Sequence, residues 1–209
     1  MNEVLNTINA ALAAMSWLEL IAVVMGVAYL LLAMREQIWC WYAAFVSTCL
    51  SIYIFWDVSL LMESALQIYY LIMAVYGWYQ WQRGAGDKGE LPISTWTMQT
   101  HLMVILGVLA CSALSGYLLT NHTQAAWPYL DSFTTWGSIV TTYMVAKKVL
   151  ENWIYWLAID SLSIFLYLDR GLYLYALLFI IYLIIVILGL IAWTRHYYQQ
   201  GKKPAGLPI

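Results

Sequence analysis

Apolar residues run through this chain in seven long blocks, each closed by a short polar stretch. The blocks cover 17–34, 38–56, 59–82, 99–119, 130–147, 151–168 and 172–194. Most approach the ~20 residues a helix needs to cross a hydrocarbon core. The pattern therefore predicts an all-α membrane protein with seven transmembrane helices. The widest polar break is 83–98, RGAGDKGELPISTWTM, with Gly, Pro and charges of both signs. A second polar loop covers 120–128. Residues 1–16 form an N-terminal segment without a basic n-region, so no cleavable signal peptide is expected. Residues 195–209 read as a basic, then Pro/Gly-rich tail, expected to be disordered.

The blocks repeat. An ungapped shift of 112 residues superposes Glu19 on Asp131, Arg35 on Lys147, Trp41 on Trp153, Ser51 on Ser163, Asp57 on Asp169, Gly77 on Gly189 and Trp81 on Trp193. Residues 17–82 thus form one three-helix unit and 130–194 a second, with loops and a linker helix in 83–129. Three spans reverse the direction of the chain, so a fourth helix is needed to make both units run the same way. The result is a 3+1+3 arrangement of parallel repeats, SWEET-like, about an axis along the membrane normal. Such folds bind solute between the repeats near mid-membrane.

Composition and charge narrow the class. Of 209 residues 64% are hydrophobic and 10% charged, against about 25% charged in soluble domains. No basic patch exists, so nucleic acid is not an expected partner; the lipid bilayer is. Arg35, Arg83, Lys88, Lys147, Lys148, Arg195, Lys202 and Lys203 fall on one side of a seven-span arrangement and only Arg170 on the other. The positive-inside rule then puts the N-terminus outside and the C-terminus in the cytoplasm. Cys40, Cys49 and Cys111 lie in apolar runs with no CxxC, so neither a disulfide framework nor a zinc site is expected. HExxH, GxSxG, Walker and Rossmann patterns are absent, which argues against an enzyme and against a bound cofactor.

Candidate chemistry centres on 147–169, KKVLENWIYWLAIDSLSIFLYLD. Trp153, Trp156, Asp160 and Ser163 share one helical face. An acid at bilayer depth costs roughly 2.5–3.5 kcal/mol on insertion scales, so Asp160 should face a polar cavity or a partner. In 59–82, Glu63, Gln67, Tyr70, Ala74, Trp78 and Trp81 form one stripe. Together the two faces offer carboxylates, an amide and aromatic walls, suited to a flat cationic molecule. Glu63 and Asp160 lack acidic repeat mates, as an asymmetric substrate site requires. Glu19 and Asp131 open the first helix of each unit and read as helix-capping acids. His101 and His122 have no evident companions and read as structural.

YGWYQW at Tyr76 to Trp81, DSFTTWGSIV from Asp131, AKKVLENWIYW from Ala146 to Trp156, Glu19 in WLELIAVVMG, and Gln67 resemble the PnuC family of bacterial vitamin transporters over about 17–194. The resemblance implies seven helices, a homotrimer in the inner membrane and facilitated diffusion. A separate cytoplasmic kinase would trap the vitamin without need for direct contact. Members carry nicotinamide riboside or, in the branch called PnuT, thiamine. The riboside pattern has Asn where this chain has Asp160, a small hydroxyl residue where it has Glu63, and a second Asn where it has Ala74. Carboxylates pair with a thiazolium and accept from an aminopyrimidine. Thiamine is therefore the substrate expected first, nicotinamide riboside the alternative, and a sugar of the SWEET type more distant.

Overall fold

The computed structural model describes residues 2–57, 61–83, 91–123 and 127–201. Among the described residues the elements are eight helices: α1 (Asn2–Ala14), α2 (Trp17–Met34), α3 (Trp39–Asp57), α4 (Leu61–Arg83), α5 (Met98–His122), α6 (Pro128–Ala146), α7 (Asn152–Asp169) and α8 (Tyr173–Gln200). α2 to α8 follow the seven apolar blocks. α1 is a correction, because no helix was expected in 1–16. Its Ile8 and Leu12 lie four residues apart, at helical spacing. Its 13 residues are too few to span a bilayer. α8 runs past 194 to Gln200, so the first residues assigned to the tail are helical. The segments 84–90 and 202–209, with Lys88, Lys202 and Lys203, lie outside the described residues.

The helix ends follow local chemistry. Ser16 caps α2: its backbone N–H donates to Glu19 Oε2 (2.6 Å) and its hydroxyl accepts from the Glu19 N–H (3.2 Å). This capping box satisfies two otherwise orphaned donors, as expected for Glu19. Thr97 caps α5 with a single bond, its hydroxyl accepting from Thr100 N–H (3.3 Å). Pro128 occupies the first turn of α6, where its missing N–H costs nothing. Asp131, also in that turn, faces Arg170 at 4.0 Å. Gly171 turns α7 into α8 at φ 70°, a conformation only glycine adopts freely.

By length and apolarity alone, α2, α5 and α8 qualify as membrane spans, with hydropathies of 2.2, 2.2 and 3.1. α4, α6 and α7 fall short because they carry polar residues, among them Gln67, Thr141, Asn152 and Asp160. In α6 and α7 those side chains are turned inward: Thr141, Asn152 and Asp160 are all buried. An all-α membrane protein with polar groups directed into its bundle is the result.

α2, α3 and α4 pack in succession, as do α6, α7 and α8. α4 also meets α6 and α2 meets α8, which closes six helices into a ring. α5 packs on α6 and α1 on α8. Features recur across the ring at the 112-residue offset. Trp41 and Trp81 meet edge-on at 5.4 Å and 86°, Trp153 and Trp193 at 5.4 Å and 83°. Trp81 Nε1 donates to Val145 O (3.3 Å) and Trp193 Nε1 to Ala33 O (3.1 Å). These four tryptophans, all buried, form the core with Cys40, Met73, Ala74 and Val186. The second half of the long polar break docks there too. Ser94 N–H donates to Lys148 O (2.9 Å) and Leu150 N–H to Ser94 O (2.8 Å), which brings Ile93 into the core. Cys40, Cys49 and Cys111 are free thiols.

Candidate functional site

α7 buries Asn152, Trp153, Ile159, Asp160, Ser163 and Leu166, a stripe at helical spacing. Asp160 lies within it, 3% exposed. Among the described residues no hydrogen bond reaches its carboxylate, although buried carboxylates ordinarily have partners. Three tyrosine hydroxyls stand within electrostatic reach: Tyr70 on α4, Tyr167 on α7 and Tyr182 on α8. Tyr70 also reaches Ser138 on α6. The Tyr182 hydroxyl lies 3.0 Å from where a β-carbon on Gly26 of α2 would stand, with Ser47 of α3 beside it. Tyr70 and Tyr182 are 112 residues apart, as are Gly26 and Ser138. Each tyrosine thus reaches from its own three helices to the opposite three, and Asp160 lies within electrostatic reach of both. Its repeat mate, Thr48, turns its hydroxyl back to Ala44 O (2.8 Å), so the carboxylate is asymmetric.

The sequence-predicted residues fall in different places. Asp160 and Tyr70 come together, and Gln67 lies one turn from Tyr70 on α4, half-buried. Trp156 and Trp78 are half-buried and lean on the core. Trp81 and Trp153 lie inside that core. Trp153 is sandwiched by Gly189 and Trp193, and Trp81 by Trp41 and the Lys148 ammonium, 4.7 Å from the ring. Their faces are occupied by protein in this structure. Glu63 belongs to α4, but its side chain lies outside the described residues.

Tyr182, Tyr167 and Ser138 were not selected from sequence. The offset that matched the tryptophans also leads from Tyr70 to Tyr182, and that was the available signal. His101 is a correction. Its Nδ1 bonds the Tyr155 hydroxyl (2.9 Å), its Nε2 lies 3.8 Å from Glu151, and its ring packs on Trp96. These companions come from the docked loop and from the start of α7, too distant in sequence for local spacing to show. An apolar groove lined by Trp127, Pro128, Tyr129, Leu130 and Phe133 opens where Trp127 donates to Asp169 (2.8 Å); it is not beside Asp160.

A chain-long similarity accompanies this geometry. The model of a family described as "Nicotinamide mononucleotide transporter" matches residues 16–195. The riboflavin/roseoflavin transporter RibM of Streptomyces davaonensis is 26% identical over 89% of this chain and 88% of its own length. The nicotinamide riboside transporter PnuC of Escherichia coli K12 is 25% identical over 90% of both chains. The crystal structure of the vitamin B3 transporter PnuC matches at a TM-score of 0.72, with 23% identity, over 94% of this chain and 89% of that one; that likeness supports the fold. Given a family match that runs from the α2 cap into the end of α8, this chain belongs to the nicotinamide mononucleotide transporter family, the family of the PnuC transporters.

Proposed function

We propose that this protein carries a small, flat, cationic vitamin across the bacterial inner membrane by facilitated diffusion. The single observation behind this reading is Asp160: a carboxylate in the middle of an apolar helix, 3% exposed, that no described residue hydrogen-bonds. A buried acid left open in this way suits a ligand that brings its own cation or donor. Seven of the helices, α2 to α8, span. α2–α4 and α6–α8 are the two SWEET-like parallel units and α5 links them. The N-terminus lies outside and the C-terminus in the cytoplasm. Asp160, Glu63, Gln67, Tyr70 and Tyr182 hold the polar edges of the substrate while Trp156 and Trp78 stack on its ring. Trp81 and Trp153 back those rings from the core. The two units rock about this site to open it to one side at a time. The homotrimer and the separate trapping kinase implied by the PnuC resemblance complete this reading.

Nicotinamide riboside ranks first as substrate. The PnuC relatives are named for it, and this reverses the order expected from sequence. A phosphorylated form fits poorly, because its anion would sit beside Asp160 while the one Lys or Arg inside the apolar blocks, Lys147, stands at the last position of its block. Thiamine remains the second reading. Asp160 favours it, as a carboxylate pairs with a thiazolium and accepts from an aminopyrimidine. Uptake of each labelled vitamin by proteoliposomes tests the function. Saturable uptake of riboside or thiamine supports it, and uptake of neither above empty liposomes, or of the uncharged riboflavin alone, would refute it.

A further inference from the structure

Two turns meet at the basic end of the molecule. Glu36 lies between α2 and α3, Lys148 between α6 and α7, and the two are repeat mates, 112 residues apart. Both adopt left-handed backbone, at φ 54° and 51°, which is uncommon outside glycine. Lys148 Nζ donates to Glu36 Oε2 at 2.8 Å, and their side chains are 3% and 11% exposed. His196 of α8 bonds the other carboxylate oxygen through Nδ1. The Lys148 ammonium sits over the ring of Trp81. In the same layer lie the reciprocal bonds from Trp81 to Val145 and from Trp193 to Ala33. Each of these contacts runs from one three-helix unit to the other.

The geometry points to a latch. We propose that the Glu36–Lys148 pair holds the two units together at this end and parts each time the passage opens there. The proposal rests on the alternating-access reading above. Backbone strain stored at both turns fits an element with two states. Removal of Glu36 leaves the buried Lys148 charge without its carboxylate, and removal of Lys148 leaves Glu36 with His196 alone, so single substitutions favour the open arrangement. The charge swap, made together with His196→Gln so that no imidazole faces the new lysine, should be tolerated, because both positions share one backbone conformation and Trp193 is the repeat mate of Trp81.

Cys40 reports the state of the latch. It is a free thiol at 0% exposure, in the first turn of α3 and within the tryptophan core beside the latch. The test is maleimide modification of the purified full-length protein, read cysteine by cysteine by peptide mass spectrometry. Glu36→Gln and Lys148→Met should each speed modification of Cys40 roughly tenfold, the change expected when a minor open state gains about one power of ten in population. Cys49 and Cys111, already part-exposed, should be unchanged. Glu36→Lys combined with Lys148→Glu and His196→Gln should return Cys40 to the slow parental rate. Parental rates in both single variants would overturn the latch, as would a swap that leaves Cys40 fast. A single variant that merely unfolds would speed all three cysteines alike, and the swap then decides: folded with Cys40 slow supports the proposal, and failure to fold contradicts it. Labelling needs no substrate. Absence of all vitamin uptake would therefore strike the transport reading and with it the role of the latch in transport, while unchanged labelling beside intact uptake would strike the latch alone.

Discussion

Trp153 lies flat enough against Gly189 that a β-carbon there would stand 2.5 Å from the indole ring, and Trp41 crowds Gly77 in the same way 112 residues earlier. α3 and α4, and likewise α7 and α8, therefore approach each other through an indole set on a bare backbone. No rearrangement of a flexible side-chain tip can relieve an added methyl, because the obstacle is a buried ring. Gly189→Ala should destabilise the fold by about 1–3 kcal/mol, the usual cost of overpacking. The check is a lowered thermal unfolding midpoint of the purified protein. Gly107, which has nothing within 4 Å, is the control: Gly107→Ala should leave the midpoint unchanged or raise it.

Tyr182 spans from α8 to Gly26 and Ser47 with its hydroxyl near Asp160. Tyr182→Phe keeps the ring and removes the hydroxyl. Loss of one hydrogen bond is worth about 0.5–1.5 kcal/mol, so substrate affinity should fall by up to roughly tenfold while the unfolding midpoint holds. Gly26→Ser restores at 26 the residue found at its repeat mate, Ser138, and would press on the Tyr182 hydroxyl. It should weaken binding as well. Unchanged titrations in both variants would remove Tyr182 from the site.

Much of this was legible in the chain. The apolar runs set α2 to α8, and Glu19 announced its capping box three residues after Ser16. The offset of 112 anticipated that Trp41, Trp81, Trp153 and Trp193 would form matched pairs. It could not show that those pairs interlock across the ring, because a bond such as Trp81 to Val145 depends on a backbone carbonyl, which has no sequence signature. The same limit placed Trp81 and Trp153 beside the substrate stripe by spacing alone. Glu36 and Lys148 escaped notice because repeat mates of opposite charge look like a mismatch until the fold brings them together. α1 was missed because its 13 residues, broken by Asn6, Thr7 and Asn9, are shorter and less apolar than a span.

Ser16→Ala should fray the start of α2. Loss of an N-cap costs typically ~1 kcal/mol, and faster hydrogen exchange of the amides at 17–20 would show it. Exchange in the middle of α7, in the other three-helix unit, should not change.

Asp160→Asn keeps a hydrogen-bonding group and removes the charge. Against nicotinamide riboside, whose carboxamide an amide can still engage, the loss of affinity should be smaller than against thiamine. Competition binding of the two vitamins to the variant measures the difference. A variant that loses both equally would mean that Asp160 acts through charge alone.

The central claim is that Asp160 belongs to a substrate site between the two three-helix units. Its most direct measurement is calorimetric titration of nicotinamide riboside and thiamine, side by side, into the purified protein and into Asp160→Ala. The account expects one of the two vitamins to bind, with affinity reduced roughly ten- to hundredfold or more in the variant, since a hydrogen bond to a charged group is worth about 1.5–3 kcal/mol. The variant should keep the parental unfolding midpoint within a few degrees. Equal affinity in parent and variant would contradict the account, and so would the absence of binding of either vitamin to the parent protein.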